Sequence, residues 1–176
     1  MFRDIKIHMR NTVVRYYGKV RSYVQPYVRV DNKYDMILDY LYISDFPSAC
    51  NRAALKEQGF THVITIIPGV AEMFPEDFTY LTLDVFDRPE APINQHFRRC
   101  IDFIEQARAE KGKVLVHCMC GISRSATIVC SYLIDARGYS SQSALCYIKD
   151  RRSCVCPNVG FMKQLDAFDA DDASHK

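Results

Sequence analysis

Apolar side chains recur along this chain in two rhythms, and the switches between them mark out its elements. Over residues 4–22, Ile5, Met9, Val13, Tyr16 and Val20 fall at helical spacing with Lys6, Arg10, Arg15 and Lys19 between them, which predicts a basic amphipathic helix. Gly18 weakens it, Pro26 ends it, and residues 25–35 read as a linker. Ile37–Ile43 predicts a strand. Ser44–Ser48 predicts a turn into a short helix through Lys56, closed by Gly59. The β-branched run His62–Ile67 predicts a buried strand that Pro68-Gly69 breaks. Tyr80–Val85 alternates as a strand does, and Asp87–Pro92, with Pro89 and Pro92, reads as a loop. Ile93–Arg108 carries a helical stripe of Phe97, Ile101, Ile104 and Ala107, after which Lys113–His117 predicts a further strand. Ser125–Arg137, Ser141–Arg152 and Asn158–Phe168 predict helices, and residues 169–176 an acidic tail. Strands alternate with helices, which predicts an α/β fold with a central, mostly parallel sheet flanked by helices.

The chemistry concentrates where one of these strands gives way to a helix. Residues 114–127 read Val-Leu-Val-His117-Cys118-Met119-Cys120-Gly121-Ile122-Ser123-Arg124-Ser125-Ala-Thr127. A loop between strand and helix turns backbone N–H groups inward and adds the positive end of the helix dipole. A phosphate dianion fits that field, and Arg124 offers a planar fork for two of its oxygens. The same field favours Cys118 as thiolate, the nucleophilic form. The stretch reads as a cysteine-dependent phosphatase site. An ordinary buried cysteine beside an unrelated surface arginine would not need the strand, Gly121, Ser125 and the following helix to agree as they do.

Cys118, five intervening residues and Arg124 resemble the signature of the protein tyrosine phosphatases, and the fuller Val-His-Cys-x-x-Gly-Ile-Ser-Arg-Ser-Ala-Thr form resembles the dual-specificity branch. Leu41-Tyr-Ile-Ser44, Gly59-Phe-Thr-His-Val63 and Pro157-Asn158-Val-Gly160-Phe-Met-Lys-Gln164-Leu165 look like segments of that branch in the same order. The resemblance covers residues 36–168 and implies a single protein tyrosine phosphatase-like catalytic domain, preceded by an extension over 1–35. It implies removal of phosphate from tyrosine and from serine or threonine through a phosphocysteine, with no cofactor and no metal. Residues 117–123, His117 to Ser123, would form the phosphate-binding loop around the nucleophile Cys118. His117 would orient the loop and tune the thiol. Ser125 would assist breakdown of the phosphocysteine, although serine at a helix start is also an ordinary cap. Asn158 would support the loop, or cap the helix it opens.

Alkoxide leaving groups need a proton, so a general acid is required. Asp84 lies inside a predicted strand. Asp87 opens the proline-containing loop and resembles the family's acid, so it is favoured, with Glu90 a solvated third candidate. None of Met119, Cys120 and Ile122 is basic, whereas relatives acting on phosphoinositides or RNA ends often carry basic residues there. Phosphoproteins are the implied substrates. The alternative is a phosphoprotein-binding or scaffold module with weak catalysis, but inactive relatives usually lose the cysteine, arginine or acid, and all three stand here.

Composition narrows the picture further. Of 176 residues, 48% are hydrophobic and 25% charged, which fits a soluble globular domain. No apolar run reaches membrane-spanning length, and no secretory core opens the sequence. A thiolate needs a reducing compartment, so the cytoplasm, or the nucleus, is expected and the eight cysteines read as mostly free. Cys100, Cys130 and Cys146 are expected in the core. Residues 1–35 hold eight Lys/Arg against three Asp, whereas 36–176 hold fifteen against eighteen Asp/Glu. The catalytic body is therefore no general polyanion or nucleic-acid binder. Residues 1–24 are expected to fold back or dock on a protein partner, with weak membrane contact the less favoured outcome.

Overall fold

The computed structural model describes residues 34–174, with side chains through residue 170. The helix expected over 4–22 and the contacts expected of residues 1–24 lie outside the described residues.

A tight hairpin opens the fold: β1 (Asp35–Leu38) pairs antiparallel with β2 (Leu41–Ser44), Leu38 facing Leu41 across Asp39-Tyr40. The single strand expected over Ile37–Ile43 is thus two. Buried Ile37, Leu41 and Ile43 keep one inward alternation through the turn, so the hydrophobic pattern alone does not register the reversal. The sheet also begins inside the expected linker, since Asp35 is in β1 and the Tyr34 ring packs against Phe60. Two short helices follow, α1 (Phe46–Ala49) and α2 (Arg52–Glu57), capped by the side chains of Asp45 and Asn51. Then come β3 (His62–Ile66), β4 (Thr79–Leu83), a 3-10 turn (Ile93–His96) leading into α3 (Phe97–Ala109), and β5 (Val114–His117). Three helices complete the chain: α4 (Arg124–Arg137), α5 (Ser141–Lys149) and α6 (Val159–Ser174).

The strand order is β1-β2-β5-β3-β4, parallel throughout except for β1. Each face of the sheet buries its own core, as a parallel sheet requires. Val114, Val116, Ile64 and Ile66 point to one side, where Phe97, Ile101 and Ile104 of α3 and the length of α4 pack against them. Leu115 and Val63 point to the other, into a smaller cluster of Phe46, Leu55, Phe60, Phe74 and Phe78. Residues 124–134 of α4 are buried without interruption. A helix enclosed on all sides is a rigid mount for whatever its first turn carries.

Three expectations are corrected at the helical ends. The expected acidic tail continues α6 as helix to Ser174. Asp169 of that stretch, together with Asp166 just before it, holds the fold together. Asp166 accepts from the Ser141 hydroxyl at 2.6 Å and Asp169 from the Ser141 N–H at 3.0 Å. That places negative charge at the N-terminus of α5. Helix α5 stops at Lys149 rather than Arg152, and the Arg152 side chain turns toward the loop after β5. Cys100 and Cys130 are fully buried, with burial pushing both thiols up to about 12. Cys146 is exposed, because Ala144, Leu145 and Ile148 take the inward side of α5.

Candidate active site

Strand β5 is central, with β2 on one side and β3 on the other, so its last residue His117 has Ser44 and Thr65 as register neighbours. The chain leaves the sheet at Cys118 and re-enters regular structure at Arg124. This puts the loop at the carboxyl end of the strands, where open α/β sheets bind ligands.

The carbonyl groups of that loop all face outward. Cys118 O accepts from His117 Nδ1 at 3.4 Å, and Met119 O from the Phe46 N–H at 3.1 Å. Arg152 donates to Cys120 O from Nη2 at 3.2 Å and to Gly121 O from Nε at 2.8 Å. Ile122 O accepts from the Cys156 N–H at 2.9 Å, and Ser123 O from the N–H and hydroxyl of Thr127, each at 2.9 Å. In a planar trans peptide the N–H points opposite to the C=O. With every carbonyl from 118 to 123 committed to the surrounding protein, the intervening amides converge on the concave side. Gly121 makes this curvature possible. Its φ is +65°, and a Cβ there would fall 2.5 Å from Ser44 O.

Helix α4 adds its positive end. Ser123 occupies the cap position but makes no side-chain capping bond. Its hydroxyl donates instead to Asp87 Oδ1 at 2.7 Å and accepts from the Asn158 N–H at 3.2 Å. The cap is thus Ser123, whereas the sequence places the helix start at Ser125. Ser125 is fully buried, its Oγ 3.4 Å from Cys118 Sγ. Cys118 itself is 1% exposed, at the floor of the loop. Arg124 is anchored through Nη1 to Ile66 O at 3.0 Å and Val85 O at 3.3 Å. Its Nε is buried without a hydrogen-bond partner and lies 3.5 Å from Asp87 Oδ2. One edge of the guanidinium is therefore fixed to the sheet, and Nε remains as a buried donor at the site.

The two candidate acids are separated by their surroundings. Asp87 Oδ1 accepts from both Ser123 and Asn158 Nδ2, the latter at 2.9 Å, which brings it to the loop. Asp84 Oδ1 accepts from the Gly69 N–H at 2.8 Å and serves the turn after β3. Glu90 is exposed beyond them. Asn158 Oδ1 also caps α6, accepting from the Phe161 N–H at 3.0 Å.

His117 is buried, and burial, reinforced by Arg124 nearby, lowers its pKa to about 4. It is neutral at neutral pH. A carbonyl can only accept, so the contact with Cys118 O puts the proton on Nδ1, and Nε2 accepts from the Thr65 hydroxyl at 2.8 Å. Met119, Cys120 and Ile122 face outward from the loop with partial or full exposure, and all eight cysteines are free thiols.

The family model described as "Dual specificity phosphatase, catalytic domain" matches residues 41–171. The chain belongs to the dual specificity protein phosphatases. It is 35% identical over 162 residues to dual specificity protein phosphatase 1 of Arabidopsis thaliana, covering 87% of this chain and 82% of that one. Dual specificity protein phosphatase 19 of Mus musculus is also 35% identical, over 154 residues, covering 88% and 70%. Among solved structures, DUSP15 superposes with a TM-score of 0.77 at 38% identity, over 81% of this chain and 92% of that one. This dual specificity phosphatase thus falls in the class of protein tyrosine/serine/threonine phosphatases, with the single α/β domain of that family.

Two members of the site have no signature in the sequence pattern. Arg152, whose guanidinium holds two loop carbonyls while Nη1 donates to Asp35 at 2.6 Å, falls at the end of an expected helix. Thr65, the partner of His117, stands out only as part of a β-branched strand. Local pattern carries no signal for either, because their partners lie 31 and 52 residues away.

Proposed function

We propose that this protein hydrolyses phosphotyrosine and phosphoserine or phosphothreonine in proteins through a phosphocysteine on Cys118. The observation that carries the reading is the outward commitment of all the loop carbonyls, which leaves an amide-lined cradle directly above a buried sulfur.

The phosphoryl oxygens sit against the loop amides and the Arg124 Nε, which stabilise charge on the equatorial oxygens in the transition state. Cys118 Sγ, as thiolate, attacks phosphorus in line. The S–P bond forms, the P–O bond to the substrate breaks, and Asp87 gives its proton to the departing oxygen. With Oδ1 held by Ser123 and Asn158, Oδ2 is the oxygen that carries that proton. Water then attacks the phosphocysteine, Asp87 takes a proton from it, and the S–P bond breaks to return thiolate and release inorganic phosphate. The Ser125 hydroxyl donates to the sulfur as it leaves, and neutral His117 holds the first loop carbonyl in place. A thiolate of this kind functions in a reducing compartment, which supports a cytoplasmic location.

Substitution tests the roles. Cys118→Ser should abolish turnover of phosphopeptides while retaining their binding. Asp87→Asn should slow alkyl phosphates by about 10²–10⁴-fold and aryl phosphates with good leaving groups far less, as loss of a general acid does. Appreciable turnover by Cys118→Ser, or that leaving-group pattern in Asp84→Asn instead, would overturn the assignment.

A further inference from the structure

Exposed apolar side chains stand among the charged ones at the margin of the site. Among the described residues, the exposed large apolar side chains are Met36 (55%), Phe86 (59%) and Val159 (64%). Met36 lies on the edge strand β1. The other two belong to the candidate site. Phe86 immediately precedes Asp87, Val159 immediately follows Asn158, and the Asn158–Asp87 hydrogen bond at 2.9 Å joins the two segments. The same segments are packed backbone to backbone two residues further on, where a Cβ on Gly160 would fall 1.9 Å from Pro89 O. Phe86 and Val159 therefore flank one rigid corner of the entrance.

A cavity of about 310 Å³ opens beside Phe86, walled by Val85, Ala91 and Pro92 and edged by Asp84, Arg88 and Glu90. The Arg88 guanidinium lies 5.3 Å from the Phe86 ring centroid and steadies the ring in its exposed position. The walls are apolar, and the edge carries two carboxylates against one guanidinium. An apolar side chain is favoured in such a place and an acidic one is repelled. An exposed aromatic ring beside an apolar cavity, next in sequence to a candidate site residue, fits a contact surface better than a structural need.

We propose that this rim selects phosphoproteins carrying a large apolar residue within two positions of the phosphorylated one, with that side chain received by Phe86 and the cavity beside it, and Val159 closing the opposite edge. The proposal rests on the reading of Cys118 as the phosphatase nucleophile. Phe86 and Val159 act here as specificity residues. They touch the substrate chain, not the reacting atoms.

The test is a phosphopeptide series, hydrolysed by the full chain, in which Leu, Gly or Asp is placed in turn at each of the two positions on either side of phosphotyrosine. At one of those positions kcat/KM should rank Leu above Gly above Asp. The Leu/Gly ratio should be roughly tenfold, the effect expected from burying one large side chain, and carried by KM. Phe86→Ser should bring that ratio close to one, and Phe86→Leu should largely restore it. Comparing ratios within each variant removes any change in overall activity. A flat series from a wild-type protein that hydrolyses para-nitrophenyl phosphate would overturn the rim while leaving the phosphatase reading intact. A ratio unchanged in Phe86→Ser, or faster hydrolysis of phosphoinositide vesicles than of any peptide, would also overturn it. Failure to hydrolyse the aryl phosphate at all would remove the phosphatase reading and this proposal with it.

Discussion

Both ends of helix α4 gather cations, and only one end is arranged for an anion. At the N-terminus Arg124 is nearly buried, no side chain caps the helix, and the preceding loop turns its amides inward. At the C-terminus Arg137 joins Arg108, Lys111 and Lys113 around Tyr40 in a cavity of about 450 Å³, which is the larger concentration of positive charge. Yet most of that charge is already engaged. Helices α3 and α4 both end there, with Arg108 and Arg137 in their last turns, so the cations sit at the negative ends of two dipoles. Arg137 Nη2 donates to the Tyr40 hydroxyl at 2.9 Å, the Tyr40 and Tyr132 hydroxyls lie 2.7 Å apart, and Tyr132 donates to Glu105. Arg108 closes that chain with bonds to both Glu105 oxygens at 2.8 and 3.0 Å, and Lys113 donates to Gln58 O at 3.0 Å. Counting cations would therefore select the wrong end. The direction of the backbone amides, fixed by where the carbonyls are held, selects the other.

The sharpest way to break this contrast is to replace the arginine at each end by lysine. Arg124→Lys keeps the charge but loses the fork and its anchorage on Ile66 and Val85, and kcat/KM should fall by about 10²–10³-fold. Arg137→Lys should leave kcat/KM within about twofold, with only a modest loss of stability. Comparable losses from the two variants in steady-state assays would mean that the distinction drawn from the amides is false.

A smaller effect is expected from the outer side of the loop. Arg152→Met removes the donors to Cys120 O and Gly121 O and leaves Asp35 without its partner. Denaturant unfolding should show a loss of about 2–4 kcal/mol, as for a mostly buried ion pair broken on one side. If the carbonyls direct the amides, kcat should also fall, by roughly tenfold. Unchanged kcat in a destabilised but folded variant would separate the amide cradle from its outer supports.

The smallest effect is a dependence of stability on pH. The pKa of His117 is lowered from 6.5 to about 4 in the folded protein. Between those values the unfolded chain takes up a proton that the folded chain refuses, so stability is full above about 6.5 and falls as pH drops toward 4. The ceiling on this loss is roughly 3 kcal/mol. Unfolding free energies measured from pH 7 to 4 should fall less steeply in His117→Gln. Equal slopes in the two proteins would show that the imidazole is not held neutral at this end of the helix.

What the sequence makes legible, and what it hides, follows the range of the interactions. Cys118, the loop after it and Arg124 occupy one contiguous strand–loop–helix, so local pattern suffices to single them out. Asp87 and Asn158 stand out through the family resemblance, and each opens an element, at the head of a proline-containing loop and of α6. The supports of the loop come from elsewhere: Arg152 from beyond α5, Thr65 from the neighbouring strand, Ser123 by giving up its cap for Asp87. The hairpin is hidden for a related reason, since its turn preserves the inward alternation of the strands it joins. The helical tail is hidden because Asp169, which looks like the start of a solvated acidic end, completes the N-terminus of another helix.

The proposed mechanism requires the amide cradle to present phosphorus to Cys118 and to no other side chain. The direct measurement is acid quenching of the protein during turnover of an aryl phosphate, followed by proteolysis and mass spectrometry. Phosphate should be found on Cys118 within the peptide that spans the loop, and should accumulate further in Asp87→Asn, in which hydrolysis of the intermediate is slowed. Phosphate on Cys120, Ser123 or Ser125, or turnover that proceeds normally in Cys118→Ser, would contradict the account.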